Sequence, residues 1–136
     1  MGRELNVLIV DDSLIMRVNL VRSLEGLGHR VVCEAKDGQS SITAYEEYKP
    51  DLVTMDITMP DMDGITAVEK IKEIDPDANI IMVTSHGQEA MVMNALKAGA
   101  KGYILKPVSP EKLRESIGKI FIELENQVSD ELLDEE

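Results

Sequence analysis

Few residues of this 136-residue chain are equipped for chemistry, and the informative ones stand where apolar runs end. Val7 to Val10 runs into Asp11-Asp12, Leu52 to Met55 into Asp56, Ile80 to Val83 into Thr84-Ser85, and Tyr103 to Leu105 into Lys106-Pro107. Three carboxylates gathered in one place repel each other. At about 4 Å and an effective dielectric near 20, each pair costs roughly 4 kcal/mol. A fold keeps such a cluster only if a cation compensates or one acid is protonated. Lys106 supplies one positive charge and leaves about −2, which a divalent ion would cancel. Oxygen ligands with no nearby His or Cys favour a hard cation. Mg²⁺ in particular accepts few carboxylates, keeps its waters and sits beside phosphates. The set therefore reads as a Mg²⁺ site with room for a phosphate.

The chemistry follows from that pairing. One aspartate can act as nucleophile toward a phosphoryl group and form an aspartyl phosphate. The metal and Lys106 neutralise charge on the transferring group, and the Thr84 hydroxyl can donate to a phosphoryl oxygen. With Asp56 as the ester, one carboxylate charge is lost while the phosphoryl adds about −2, so the site gains about one negative charge. That change could draw Thr84 inward and shift the loop behind it, with Tyr103 filling or leaving the vacated space. An Asp-Asp pair alone is common on surfaces. Asp56, Thr84 and Lys106 at equivalent strand ends are what give Asp11-Asp12 meaning.

The elements that would bring these residues together alternate regularly. Apolar runs at 5–10, 30–35, 51–55, 79–84 and 102–105 predict five strands. Between them lie helical spacings. Met16, Leu20, Leu24 and Leu27 run to a stop at Gly28, and Gly38, Ile42, Tyr45 and Tyr48 run to Pro50. Ile65, Val68, Ile71 and Ile74 stop before Pro76, and Met91, Val92, Ala95 and Leu96 stop at Gly99. A last helix opens at Pro110, capped by Ser109, and carries Leu113, Ile117, Ile120, Phe121 and Leu124. Apolar strands separated by amphipathic helices imply an α/β fold, a doubly wound five-stranded parallel sheet covered on both faces. In such sheets the site lies beyond the carboxyl ends of the strands, near the topological switch point.

Four segments then carry a resemblance: Val-Leu-Ile-Val-Asp-Asp (7–12), Val-Thr-Met-Asp-Ile-Thr-Met-Pro-Asp-Met-Asp-Gly (53–64), Met-Val-Thr-Ser (82–85) and Gly-Ala-Lys-Gly-Tyr-Ile-Leu-Lys-Pro (99–107). Together they resemble the receiver domain of two-component response regulators, over residues 5 to 122. The resemblance implies the flavodoxin-like, CheY-like strand order 2-1-3-4-5. It implies a receiver domain over 1–122 and an acidic tail over 123–136, a helix extension or disordered, with no effector domain following. It makes Asp56 the phosphoacceptor and Asp12 the direct Mg²⁺ ligand, with Asp11 acting through water and Thr58 offering its backbone carbonyl. Thr84 becomes the switch hydroxyl, Tyr103 its coupled aromatic, and Lys106 the phosphoryl-binding lysine, joined to Pro107 by a cis bond. Thr58 and Ser85 stand where the best-known chemotaxis member has Asn and Ala, and both flank the phosphoryl group. The donor would be a sensor histidine kinase (CheA-like). The output would be a protein effector, in chemotaxis the flagellar motor switch. A phosphate sink or a relay intermediate would use the same residues. Such a protein catalyses only its own phosphorylation and dephosphorylation.

Composition sets outer limits. The chain has 14 basic and 26 acidic residues and a formal charge of −12. That disfavours nucleic acid or an anionic membrane as partner. Residues 123–136 hold seven acids and no base, so the first 122 carry 14 bases against 19 acids, or −5. The single cysteine, Cys33, fits a reducing compartment and is expected to be a small buried hydrophobe. No long apolar segment opens the chain, and Asn6 breaks a myristoylation pattern, so a cytoplasmic protein, monomeric, is expected. His29 and His86 read as loop imidazoles, and the methionines as core filler, with some on the fourth helix able to face a partner. No nucleotide-cradling glycine loop is present. Two other classes compete. A Mg²⁺-dependent aspartyl-phosphate phosphohydrolase would want an acid two residues after Asp56, where Thr58 stands. A flavin carrier would place its phosphate where the acidic pair lies.

Overall fold

Side chains of a strand point alternately to its two faces, and the central strands of this chain are apolar on both. The computed structural model describes residues 3–121. It contains strands β1 (Asn6–Val10), β2 (Arg30–Ala35), β3 (Leu52–Met55), β4 (Ile80–Thr84) and β5 (Gly102–Leu105). They alternate with helices α1 (Leu14–Gly26), α2 (Gly38–Tyr48), α3 (Gly64–Ile74) and α4 (Glu89–Ala98), and with α5 over 110–121. The strands form one parallel sheet in the order β2-β1-β3-β4-β5. The architecture and the strand order are those expected from the sequence. The acidic segment 123–136 and Leu124 lie outside the described residues.

Alternation divides the apolar residues into two cores. On one face Leu8, Val10, Val53, Met55, Ile80 and Met82 pack under α2, α3 and α4 through Ile42, Tyr45, Val68, Ile71 and Ala95. On the other, Val7, Ile9, Leu52, Ile81, Val83 and Ile104 pack under α1 and α5 through Leu20, Leu24, Leu113, Ile117 and Ile120. Right-handed crossovers produce this split: the chain winds to one side of β1, then returns across it to β3. Every residue of β3 and β4 is buried, whereas the edge strands β2 and β5 are partly open.

Side-chain caps start four of the five helices. Ser13 accepts from the Met16 amide, Asp37 from Ser40, Asp63 from Thr66 and Ser109 from Lys112. Each satisfies an amide that the first helical turn leaves without a partner. α4 has no side-chain cap, and Ala95 is its one fully buried residue. Gly99 ends α4 at φ 118, a left-handed conformation that glycine adopts without strain. Tyr48, Ile74 and Leu96 continue the apolar spacing but are about half exposed. Each falls in the last turn of its helix, where the periodicity persists past the part of the sheet available to bury it.

Gly64, the first residue of α3, is fixed by close approach. A Cβ there would lie 1.9 Å from the Asp56 carbonyl oxygen, which is backbone and cannot swing aside. Gly64→Ala should therefore destabilise the protein by roughly 1–3 kcal/mol. Gly26, at the end of α1, has nothing within 4 Å of its would-be Cβ, and Gly26→Ala should stabilise by about 0.4–1 kcal/mol. Urea melts with unchanged slope check both signs.

Candidate functional site

The strand order fixes where the chemistry gathers. β1 and β3 are neighbours because the chain reverses its winding direction between them, so Asp11-Asp12 and Asp56 leave the sheet side by side. The ladder continues past the strands: the Asp56 amide donates to the Val10 carbonyl at 3.0 Å and the Asp11 amide to Ala35 at 3.0 Å. β4 and β5 follow, and the Lys106 amide donates to the Thr84 carbonyl at 2.8 Å. One oxygen from each of Asp11, Asp12 and Asp56 lies within 4.8 Å of the others. Lys106 Nζ reaches back to Asp11 Oδ2 at 3.0 Å and to Asp56 Oδ1 at 3.6 Å. Asp11, Asp12, Asp56 and Lys106 thus converge.

Burial makes the cluster costly. Asp11 is 1% exposed and Asp56 5%, while Asp12 faces solvent. Burial, and then the Asp11 charge, push the Asp56 carboxyl above the ordinary carboxylate range. The Lys106 charge and the Ile57 amide, which donates to Asp56 Oδ1 at 2.9 Å, oppose the rise without cancelling it. One lysine between two buried acids, with a third beside them, leaves negative charge uncompensated. The donors are all oxygen, as a hard divalent cation requires. These residues fit such an ion.

A second set of residues closes the rim. Thr84 is fully buried, and its Oγ1 accepts from the His86 amide at 3.2 Å. The Tyr103 hydroxyl donates to the His86 carbonyl. The His86 ring meets the Thr58 hydroxyl, Nε2 to Oγ1 at 2.7 Å. His86 is therefore joined to Thr84 and Tyr103 through its backbone and to Thr58 through its ring; it lies on a loop, as expected from sequence, but its imidazole is engaged. Its position two residues after Thr84 was the available signal. Lys106–Pro107 is cis, as expected. His29 is also engaged, its Nδ1 accepting from the Leu5 amide at 3.2 Å. Cys33 is only partly buried, because β2 is an edge strand.

Other supports were not assigned from the sequence. Arg17 Nη1 donates to the Asp11 carbonyl at 2.8 Å. Asp61, exposed on the loop after β3, accepts from the Gly38 and Gln39 amides at 2.8 Å each, and those bonds hold its carboxyl below the usual range. They tie the loop that follows Asp56 to the start of α2. Gly64 presses α3 against the Asp56 backbone.

Comparison with known proteins agrees with this geometry. Residues 7–118 match the response regulator receiver domain family. The chain is 48% identical to the chemotaxis protein CheY of Thermotoga maritima over 120 residues, which cover 88% of this chain and 98% of that protein. It is 50% identical to CheY of Bacillus subtilis over 113 residues, or 83% and 94% of the two chains. Among solved structures, the CheX-CheY-BeF3-Mg²⁺ complex of Borrelia burgdorferi matches with a TM-score of 0.83 and 38% identity, covering 85% of this chain and 88% of that one. The residues that close the sheet around three carboxylates are thus set in a chain that belongs to the response regulator receiver family and is close to CheY.

Proposed function

We propose that this protein is a phosphorylation-operated switch that accepts a phosphoryl group on Asp56 with Mg²⁺ and changes its binding to a protein effector. The observation that carries this reading is the clustering of Asp11, Asp12 and Asp56 at the switch point with Lys106 between Asp11 and Asp56, and Asp56 buried and still charge-uncompensated. Asp11, Asp12, Asp56 and the Thr58 carbonyl would hold Mg²⁺. When bound, the ion supplies charge neutralisation to the phosphoryl oxygens. The Asp56 carboxylate attacks the phosphorus of a kinase phosphohistidine. An O–P bond forms as the N–P bond breaks, and the released imidazole recovers its lone pair. Lys106 stays beside the carboxylate and balances the incoming charge. Attack by water on the same phosphorus returns Asp56 and inorganic phosphate, so the protein acts on itself and has no independent substrate.

The output follows from what joins Thr84. Its Oγ1 accepts from His86 and can turn its proton toward a phosphoryl oxygen, while Tyr103 holds the His86 carbonyl. A shift at Thr84 is therefore passed to the loop before α4. That helix, uncapped and anchored by little buried surface, is the element most readily moved. Met93 and Leu96 on α4 and Leu105 on β5 are exposed and offer an apolar face to an effector. The CheY relatives favour chemotaxis; a CheA-like kinase would then be the donor and a flagellar motor switch protein the effector. Among the described residues no helix is long and apolar enough to cross a membrane, and we place the protein in the cytoplasm as a monomer. A receiver domain over 1–122 completes the reading.

Incubation with acetyl phosphate and Mg²⁺ should add one phosphoryl mass to the wild type and none to Asp56→Asn. Addition to both, or to neither, contradicts the assignment. The same variant reports on the burial of charge. Because the Asp56 pKa is raised in the fold, the native state holds that proton more readily than the unfolded chain. Ionisation therefore costs stability as pH rises. Without metal, Asp56→Asn should melt above wild type at neutral pH, and the gap should close as pH falls below the carboxylate range. Lys106→Met removes the counter-ion of two buried acids. With the ammonium partly solvated, the loss should be roughly 1–3 kcal/mol in metal-free urea melts, and Mg²⁺ should restore most of it.

A further inference from the structure

Arg17 lies on α1, outside the carboxylate set, yet its side chain is committed and only 15% exposed. Its Nη1 donates to the Asp11 backbone carbonyl at 2.8 Å, and its Nε stands 3.2 Å from Glu34 Oε1 on β2. Asp11 is thereby held at every polar group. Its amide donates to Ala35, its Oδ1 accepts from the Ser13 amide at 2.9 Å, its Oδ2 meets Lys106, and its carbonyl meets Arg17.

The Asp11 carbonyl belongs to the same rigid plane as the amide and Cα of Asp12. Fixing the direction of that carbonyl fixes the amide and Cα from which the Asp12 side chain leaves the backbone. Asp12 is solvent-exposed, so the backbone beneath it is what aims its carboxylate. The pairing with Glu34 has its own consequence. A lone guanidinium beside the acids would repel a cation, whereas the Arg17–Glu34 pair is neutral overall and can hold the corner without weakening the field that attracts the ion. A planar guanidinium presents several N–H groups in a fixed fork and can serve both partners at once.

We propose that Arg17, braced by Glu34, is a positioning residue that sets the Asp11–Asp12 peptide and so determines divalent-cation affinity. This rests on reading the acids as a Mg²⁺ site. Position and charge predict opposite signs. Removing a cation should tighten Mg²⁺ binding by charge alone, and removing the brace should weaken it.

Calorimetric titration of the full chain with Mg²⁺ separates them. Arg17→Met keeps the stem and removes every donor, and its dissociation constant should rise roughly tenfold, the scale of lost outer-shell support at metal sites. Arg17→Lys keeps the charge without the fork and should also weaken binding. Ile71→Val, a core truncation in α3, should lower the melting temperature and leave Mg²⁺ affinity unchanged. Mg²⁺ bound by Arg17→Met as tightly as by wild type, or more tightly, overturns the proposal. Should Arg17→Met fail to fold, Arg17→Lys is judged by the same criterion. A wild type that takes up no Mg²⁺ overturns the metal reading itself, an outcome distinct from equal binding by wild type and variant.

Discussion

Repulsion among Asp11, Asp12 and Asp56 is the constraint on which the rest of the structure depends. Two of the three carboxylates are buried, and Lys106 offsets only part of their charge. The fold tolerates this because the acids stand on the ends of β1 and β3, strands whose own positions are set by two apolar cores. Elsewhere such a cluster would relax by moving its side chains apart. Here the Asp56 backbone is pinned by the Val10 carbonyl and by the close approach of Gly64, and Asp11 is pinned at every polar group. The stress is therefore stored until a cation, or a change in the charge of Asp56, relieves it.

The same constraint explains how a local event can reach a surface. The acidic pocket shares its rim with Thr84, and His86 links Thr84 to Tyr103 and to Thr58. The β3–α3 and β4–α4 loops are thus joined by the Thr58–His86 hydrogen bond. α4, with no side-chain cap and one fully buried residue, hangs from the second of these loops. Buried strand ends hold two of the charges, and α4, with one fully buried residue, stands beside them. That division would suit the proposed switch, in which the element that moves is not the one that accepts the phosphoryl group.

Much of this was legible in the sequence. The strands announce themselves because β1, β3 and β4 are buried on both faces and read as largely apolar runs, with Thr54 the one polar residue inside β3. The acids, Thr84 and Lys106 stand out because a polar residue at the end of such a run has no packing role. Strand order was not derivable from periodicity and came from the family resemblance. The misses share a cause. The partners of His86 lie 28 residues back at Thr58 and 17 residues on at Tyr103, and Glu34 lies 17 residues from Arg17. No local pattern encodes such pairs. Asp61 drew no assignment because its partners are backbone amides of a different helix. The exposed Tyr48, Ile74 and Leu96 show the reverse error, in which a helical apolar period outlasts the surface available to cover it.

If uncompensated acid charge is what the site is built around, a divalent ion must stabilise the folded chain by binding it and not the unfolded one. The most direct measurement is the melting temperature of the unphosphorylated wild type as Mg²⁺ is raised, set against NaCl at matched ionic strength. The account predicts a saturable rise with Mg²⁺ that NaCl does not reproduce and that Asp56→Asn largely loses. Equal responses to the two salts would mean that the carboxylates are screened and not bridged, and would contradict it.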